Sequence, residues 1–160
     1  MSLVARERPN ATRFDTGEYL TVRIGEQLFG LPILSVQDVF MPSRITEVPM
    51  AIPEVAGVLN LRGRIVTAIS MRRRLGLPPA DGGRPLMAVG IEAGNESYGL
   101  VIDSVGDVVR LDHSTYEANP PNLDPQWSRV CAGVHRLEGR LMVVLDVERV
   151  LALAPEASAA

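Results

Sequence analysis

Cys131, His113 and His135 carry the most versatile reactive groups in this chain. A thiolate beside an imidazole is a nucleophile–base pair, and Cys with His can bind zinc. One Cys and two His fall short of a tetrahedral site, and no metal-ligand spacing is present. Cys131 stands just before an apolar run, where a small buried hydrophobe is expected. A Cys131-dependent enzyme, with His113 or His135 as base, is the alternative from another functional class. Gly57 and Gly63 bracket the stretch GVLNLRG, but their spacing is one residue too long for a Walker loop. Arg64-Ile65 also replaces the required Lys-Ser/Thr. Asp103 and Asp107 lie four apart in strand and turn and read as turn or cap residues rather than an acid/base pair. Arg72, Arg73 and Arg74 read as the solvated face of one helical turn, ended by Gly76. Trp127, Tyr116 and Met142 read as packing residues. No cofactor and no metal is expected.

Composition narrows the class further. The chain has 160 residues, long enough for a substantial core, and 46% of them are hydrophobic against 22% charged. Aromatic residues are only 4%, so Val, Leu and Ile must build that core. All 16 basic residues are Arg, which codon usage explains more simply than recognition. The net charge of −3 and the lack of a basic stripe argue against a nucleic-acid partner. A single Cys excludes an intrachain disulfide framework and fits a reducing compartment. The N-terminus has no apolar signal region, and no apolar run reaches the ~18 residues of a membrane span. The expectation is a cytoplasmic protein that does not itself insert into a membrane.

The elements that must position these residues are short apolar runs of period two, punctuated by Gly and Pro. Such a pattern predicts an all-β sandwich or barrel. In EYLTVRIG, Leu20, Val22 and Ile24 share one face. RITEV also reads as a strand, and only MRRRLG and DVERVLAL read as short helices. The pattern also repeats internally. Residues 27–39 align with 96–108 at a spacing of 69, so that Gly30, Ser35, Val36 and Asp38 meet Gly99, Ser104, Val105 and Asp107. Residues 57–75 align with 133–151 at a spacing of 76, so that Gly57, Gly63 and Arg64 meet Gly133, Gly139 and Arg140. The seven extra residues fit a surface loop within 114–127 of the second copy.

The chain thus divides into an N-terminal arm (1–17), a first copy (about 18–76), a linker (77–85), a second copy (about 86–153) and a tail (154–160). Arg62-Gly63 and Glu138-Gly139 occupy the same place, as two-residue hairpin loops in which Gly accepts positive φ. Gly63 then belongs to the fold, whereas residue 62 is free to vary.

The segments LFGLPILSVQDV, GVLNLRGRIVTAISMRRRLGL, SYGLVIDSVGDVVRL and AGVHRLEGRLMVVLDVERVL resemble the CheW family of bacterial chemotaxis coupling proteins, from about Glu18 to Leu153. No receiver domain or kinase core accompanies them, so the resemblance is to a stand-alone adaptor. It implies two intertwined five-stranded SH3-like β-barrel subdomains with a shared hydrophobic core, plus short helices. It also implies an adaptor without catalysis, holding the regulatory domain of a CheA-type histidine kinase against the cytoplasmic tips of chemoreceptors in membrane-associated arrays. By motif, Val36, Asp38, Val39, Val105 and Val108 would line the receptor groove. Gly57, Arg62 and Gly63 would bind the kinase at its boundary with the receptor surface, and Ile45 and Val48 would form a kinase-facing apolar patch.

Asp38, Thr67, Ser70 and Met71 stand where the family usually carries Glu, Pro, Asp and Leu, which raises the alternative of an adaptor in a paralogous pathway such as surface motility. A general scaffold for unrelated peptides is a third reading. Opposite charges in two of these motifs lead to a further expectation: Arg62 pairs with Asp38, whereas Glu138 and Asp107 of the second copy cannot attract.

Overall fold

The computed structural model describes residues 17–152 apart from 43, 81, 83 and 84. The expected tail, and all of the expected arm except Gly17, lie outside the described residues. The strands are β1 (Glu18–Ile24), β2 (Gln27–Pro32), β3 (Val36–Phe40), β4 (Val55–Leu61), β5 (Arg64–Ser70), β6 (Met87–Ala93), β7 (Glu96–Ile102), β8 (Ser104–Arg110), β9 (Tyr116–Glu117), β10 (Cys131–Leu137) and β11 (Arg140–Leu145). Among the described residues the short α-helices are α1 (Met71–Arg74), α2 (Pro125–Ser128) and α3 (Val147–Leu151). One sheet runs β8-β1-β2-β11-β10-β9 and the other β3-β6-β7-β5-β4. These are the two SH3-like barrels of an all-β fold.

The repeat is visible in the strands, but each sheet draws from both copies. β3 leaves its own copy to pair with β6, and β8 leaves its own to pair with β1. Chain length explains the exchange of β8. To lie beside β6 on its free side, β8 would have to cross two strand spacings, ~10 Å. Only Asp103 separates β7 from β8, and one residue spans at most ~3.6 Å. The strand therefore runs straight on into the other sheet. The copies 18–76 and 86–153 mark the repeat, and the sheets cut across them.

Alternation along the strands builds three cores. Leu20, Val22 and Ile24 of β1 face a central cluster between the sheets, with Phe29, Leu31, Val89, Leu100 and Val143. Tyr19, on the opposite face of β1, packs inside the first barrel with Met142 and Val144. Leu59, Val66, Ala68 and Val101 fill the second barrel.

Three expectations need correction. The first barrel has six strands, because the 114–127 insertion is more than a surface loop. It adds β9 to β10, and its α2 packs Trp127 on Phe29 at 5.3 Å between ring centroids. Trp127 Nε1 also donates to Leu75 O at 2.9 Å, closing the end of α1. RITEV makes only the single bridge Thr46↔Val58, the second barrel's counterpart of β9. Of the three arginines only Arg73 is exposed as expected; Arg72 and Arg74 are partly buried, and all three bond within the chain. Arg72 grips Asp103 through two bonds, of 2.9 and 2.6 Å, and Arg73 donates to Pro53 O. Arg74 donates to the carbonyls of Arg149, Val150 and Ala152 at the end of α3, where a cation satisfies orphan acceptors.

Candidate functional site

The β4–β5 hairpin turns on Arg62 and Gly63, with φ of 55° and 84°. Positive φ at both positions is the signature of a type I′ turn, for which Asn-Gly is the favoured pair. Asn60 Oδ1 accepts from Gly63 N at 2.8 Å and braces the tip. Arg62 Nη2 reaches Asp38 Oδ2 at 2.9 Å, so the expected pair is present. The shorter Asp side chain suffices. Its other oxygen accepts from the Val39 amide at 2.9 Å.

Because β3 and the β4 hairpin lie at opposite edges of the five-stranded sheet, the pair ties those edges together. Among the described residues no ion pair joins Asp107 to Glu138, and Glu138 does not take the left-handed conformation. The second barrel is bolted at this end and the first is not.

Magnitudes decide what this arginine is for. A non-glycine residue in the left-handed region costs about 1–2 kcal/mol. The pair, with Arg62 79% and Asp38 22% exposed, returns only about 0–1 kcal/mol. Arg62 is thus held at net cost with its side chain outward, and stability does not account for it. Replacing Arg62 by Gly should leave the protein at least as stable as wild type in urea unfolding, and Arg62→Ala should lose up to about 1 kcal/mol. A loss beyond 2 kcal/mol in both variants would make the residue structural.

The other candidates separate into surface and interior. Val36, Val39 and Val105 pack at the margin of the central cluster, while Val108 is 53% exposed. Leu34, exposed in the turn before β3, is an apolar surface residue that the sequence reading missed. Gly57 is buried, and a Cβ there would lie 2.2 Å from Thr46 O. Its absent side chain is what lets the 46 segment bridge to β4. Gly63 shares the hairpin tip with Arg62, and nothing lies within 4 Å of where its Cβ would be. Ile45 packs against the interior of the second barrel, so of the two apolar guesses only Val48 is exposed.

Met50 was also missed. It is fully exposed and sits at φ 64° in the Val48–Ala51 turn, closed by Ala51 N donating to Val48 O at 3.3 Å. Pro49 at the second position of that turn is the legible signal. The third position favours Gly or Asn, which the Met disguises.

Ser70 caps α1 by accepting from Arg73 N, as Asp146 caps α3 in the second copy, so Ser there does what Asp does. Met71 is fully buried, and a Leu would pack comparably. Cys131 is fully buried, and burial pushes its thiol up to about 12. It is a protonated hydrophobe at neutral pH, not a nucleophile. Among the described residues no group of His, Cys, Asp and Glu is placed to hold a metal, and no helix is long and apolar enough to cross a membrane.

A family model described as a CheW-like domain matches residues 18–154. The chain is 27% identical over 134 residues to the probable chemotaxis protein CheW of Rhizobium etli, covering 82% of this chain and 84% of that protein. It is 26% identical over 134 residues to the chemotaxis protein CheW of Thermotoga maritima, covering 84% and 87%. For the chemotaxis protein CheW of Helicobacter pylori the figures are 25% over 134 residues, covering 84% and 81%. Among solved structures, the scaffolding protein TtCheW of Thermoanaerobacter tengcongensis superposes with a TM-score of 0.76 at 22% identity. The superposition covers 86% of this chain and 93% of that one.

Proposed function

Because the chain belongs to the CheW-like domain family, we propose that it is a non-catalytic adaptor coupling chemoreceptor cytoplasmic tips to the regulatory domain of a CheA-type histidine kinase in chemotaxis signalling. The observation that carries this reading from the structure is Arg62, held outward in a strained turn at a cost no internal contact repays. On this reading the protein works at receptor arrays. Val36, Asp38, Val39, Val105 and Val108 serve the receptor, whose helical hairpin needs an aliphatic groove to bury its own apolar stripe. Arg62 and Gly63 form the boundary with the kinase surface, and Gly57 supports that boundary by letting residue 46 approach.

Val48 and Met50 supply the kinase-facing apolar groups, with Ile45 behind them. An unbranched thioether adapts to an irregular apolar pocket, and its left-handed backbone is the second place where stability is given up for exposure. Met50→Gly relieves the backbone and removes the side chain. It is expected to raise the melting temperature by about 2–4 °C and to lower kinase affinity about tenfold. Calorimetry and titration of the regulatory domain read the two effects, and unchanged affinity removes Met50 from the interface.

The reading as a whole is tested by size-exclusion chromatography with a receptor cytoplasmic fragment and the kinase regulatory domain of the same organism. Co-elution of all three supports it. Failure to bind either partner overturns it.

A further inference from the structure

His135 is buried, 2% exposed, in the wall of the first barrel. It sits between Tyr19 and Tyr116, with ring centroids at 5.1 and 5.3 Å in edge-on geometry. Both ring nitrogens face hydroxyls: Nδ1 lies 2.7 Å from Thr115 Oγ1 and Nε2 3.3 Å from Tyr19 OH. A neutral imidazole suits this cage, donating on one side and accepting on the other.

The groups facing it are uncharged or distant. Tyr19 comes from β1, Thr115 and His113 from the turn before β9, Tyr116 from β9, and Met142 lies opposite on β11. Asp112 directs a carboxylate oxygen to the Ser114 amide and hydroxyl. Glu117 is taken by Arg136, at 2.9 and 3.0 Å, on the exposed face. Among the described residues no salt bridge involves His135. Burial lowers its affinity for a proton, the neighbouring His113 lowers it further, and the Asp112 carboxylate opposes both in lesser degree.

The segment that closes this cage is held by a two-residue pairing and by side-chain bonds, the Glu117–Arg136 pair among them. β9 pairs with β10 at only Val134↔Glu117 and His135↔Tyr116. Tyr116 OH donates to Ala132 O at 3.0 Å, and Asn119 Nδ2 donates to Cys131 O at 3.0 Å. Gly133 lets Tyr116 lie directly on β10, since a Cβ there would collide with its hydroxyl.

We propose that residues 112–119 form a pH-gated strap: protonation of His135 releases β9 from the edge of β10. A charged imidazole has no anion in the cage, so the strap must open to hydrate it. Closed, His135 titrates below its ordinary range; open, it titrates near 6.5. The open state therefore binds the proton more tightly. Closure is fully favoured above pH 6.5 and is lost as pH falls toward the closed-state value.

Amide hydrogen exchange followed by NMR between pH 7.5 and 5.0, corrected for intrinsic rates, tests this. Opening of Tyr116 and Glu117 is expected to rise toward tenfold per pH unit below about 6.5, while β1 and β2 stay protected. His135→Phe keeps an aromatic filler without the titrating group and should flatten the strap's pH dependence. Equal pH dependence in that variant overturns the proposal. So does loss of protection through the whole sheet together with the strap, and so does a His135 that stays neutral at pH 5.0 with the strap closed.

Discussion

Gly57→Ala lowers the unfolding free energy by about 3 kcal/mol. The new Cβ would stand 2.2 Å from Thr46 O and 2.7 Å from Thr46 C, both backbone atoms that no side-chain rotation can move. The bridge must open, and with it go two backbone hydrogen bonds of 2.8 Å, Thr46 N to Val58 O and Val58 N to Thr46 O. Each bond contributes about 1 kcal/mol net, and φ of 149° adds strain for any residue with a Cβ. Ile45 then loses its seat against the second barrel's interior. Urea unfolding reads the loss. A variant within 0.5 kcal/mol of wild type would mean that the bridge is dispensable. A binding defect at Gly57 is accordingly an indirect one, carried by the displaced 46–50 segment.

Asp103→Ala costs about 2–3 kcal/mol. Its two oxygens accept from Arg72 at 2.9 and 2.6 Å, and one also accepts from Gly25 N at 3.0 Å. Arg72 further donates to Pro78 O at 2.8 Å. One carboxylate thus ties the β7–β8 corner to α1, to the β1–β2 turn and, through Arg72, to the linker, joining elements from both copies. Bidentate charge-assisted bonds are about twice as strong as neutral ones. Both side chains are about one-fifth exposed, which keeps the figure below the 3–5 kcal/mol of a fully buried pair. A double-mutant cycle with Arg72→Leu should return a coupling of about 1–2 kcal/mol. Additive losses would show that the two residues act separately.

The repeat was legible because the two copies keep Gly63 and Gly139 at matching turns and Asp38 and Asp107 at matching places in β3 and β8, and such residues are read locally. The partner of Arg62 was legible for a related reason: opposite charges recur in only one of the two copies. What could not be seen was everything set by distant approach. The guanidinium of Arg74 meets carbonyls 75 to 78 residues away, so a run of three arginines looked solvated. The exchange of β8 between sheets follows from a linker of one residue, Asp103, a length present in the sequence but readable only once strand ends are known. Asp124-Pro125, an N-cap followed by Pro at the first helical position, announced α2 inside what read as a loop. Met50 hid a type II turn by placing an apolar residue where Gly or Asn belongs.

Cost at the tips and rigidity beneath them fit one purpose. The central cluster and the Arg72–Asp103 tie hold the two barrels, while Arg62 and Met50 give up local stability to stand outward. Receptor control of the kinase is the output such an adaptor must produce. The direct measurement is autophosphorylation of a CheA-type kinase with a receptor cytoplasmic fragment, in the presence and absence of this protein. Kinase activity should come under receptor control only when the protein is present, and Arg62→Ala should weaken that control. Kinase activity indifferent to saturating, folded protein would contradict the account.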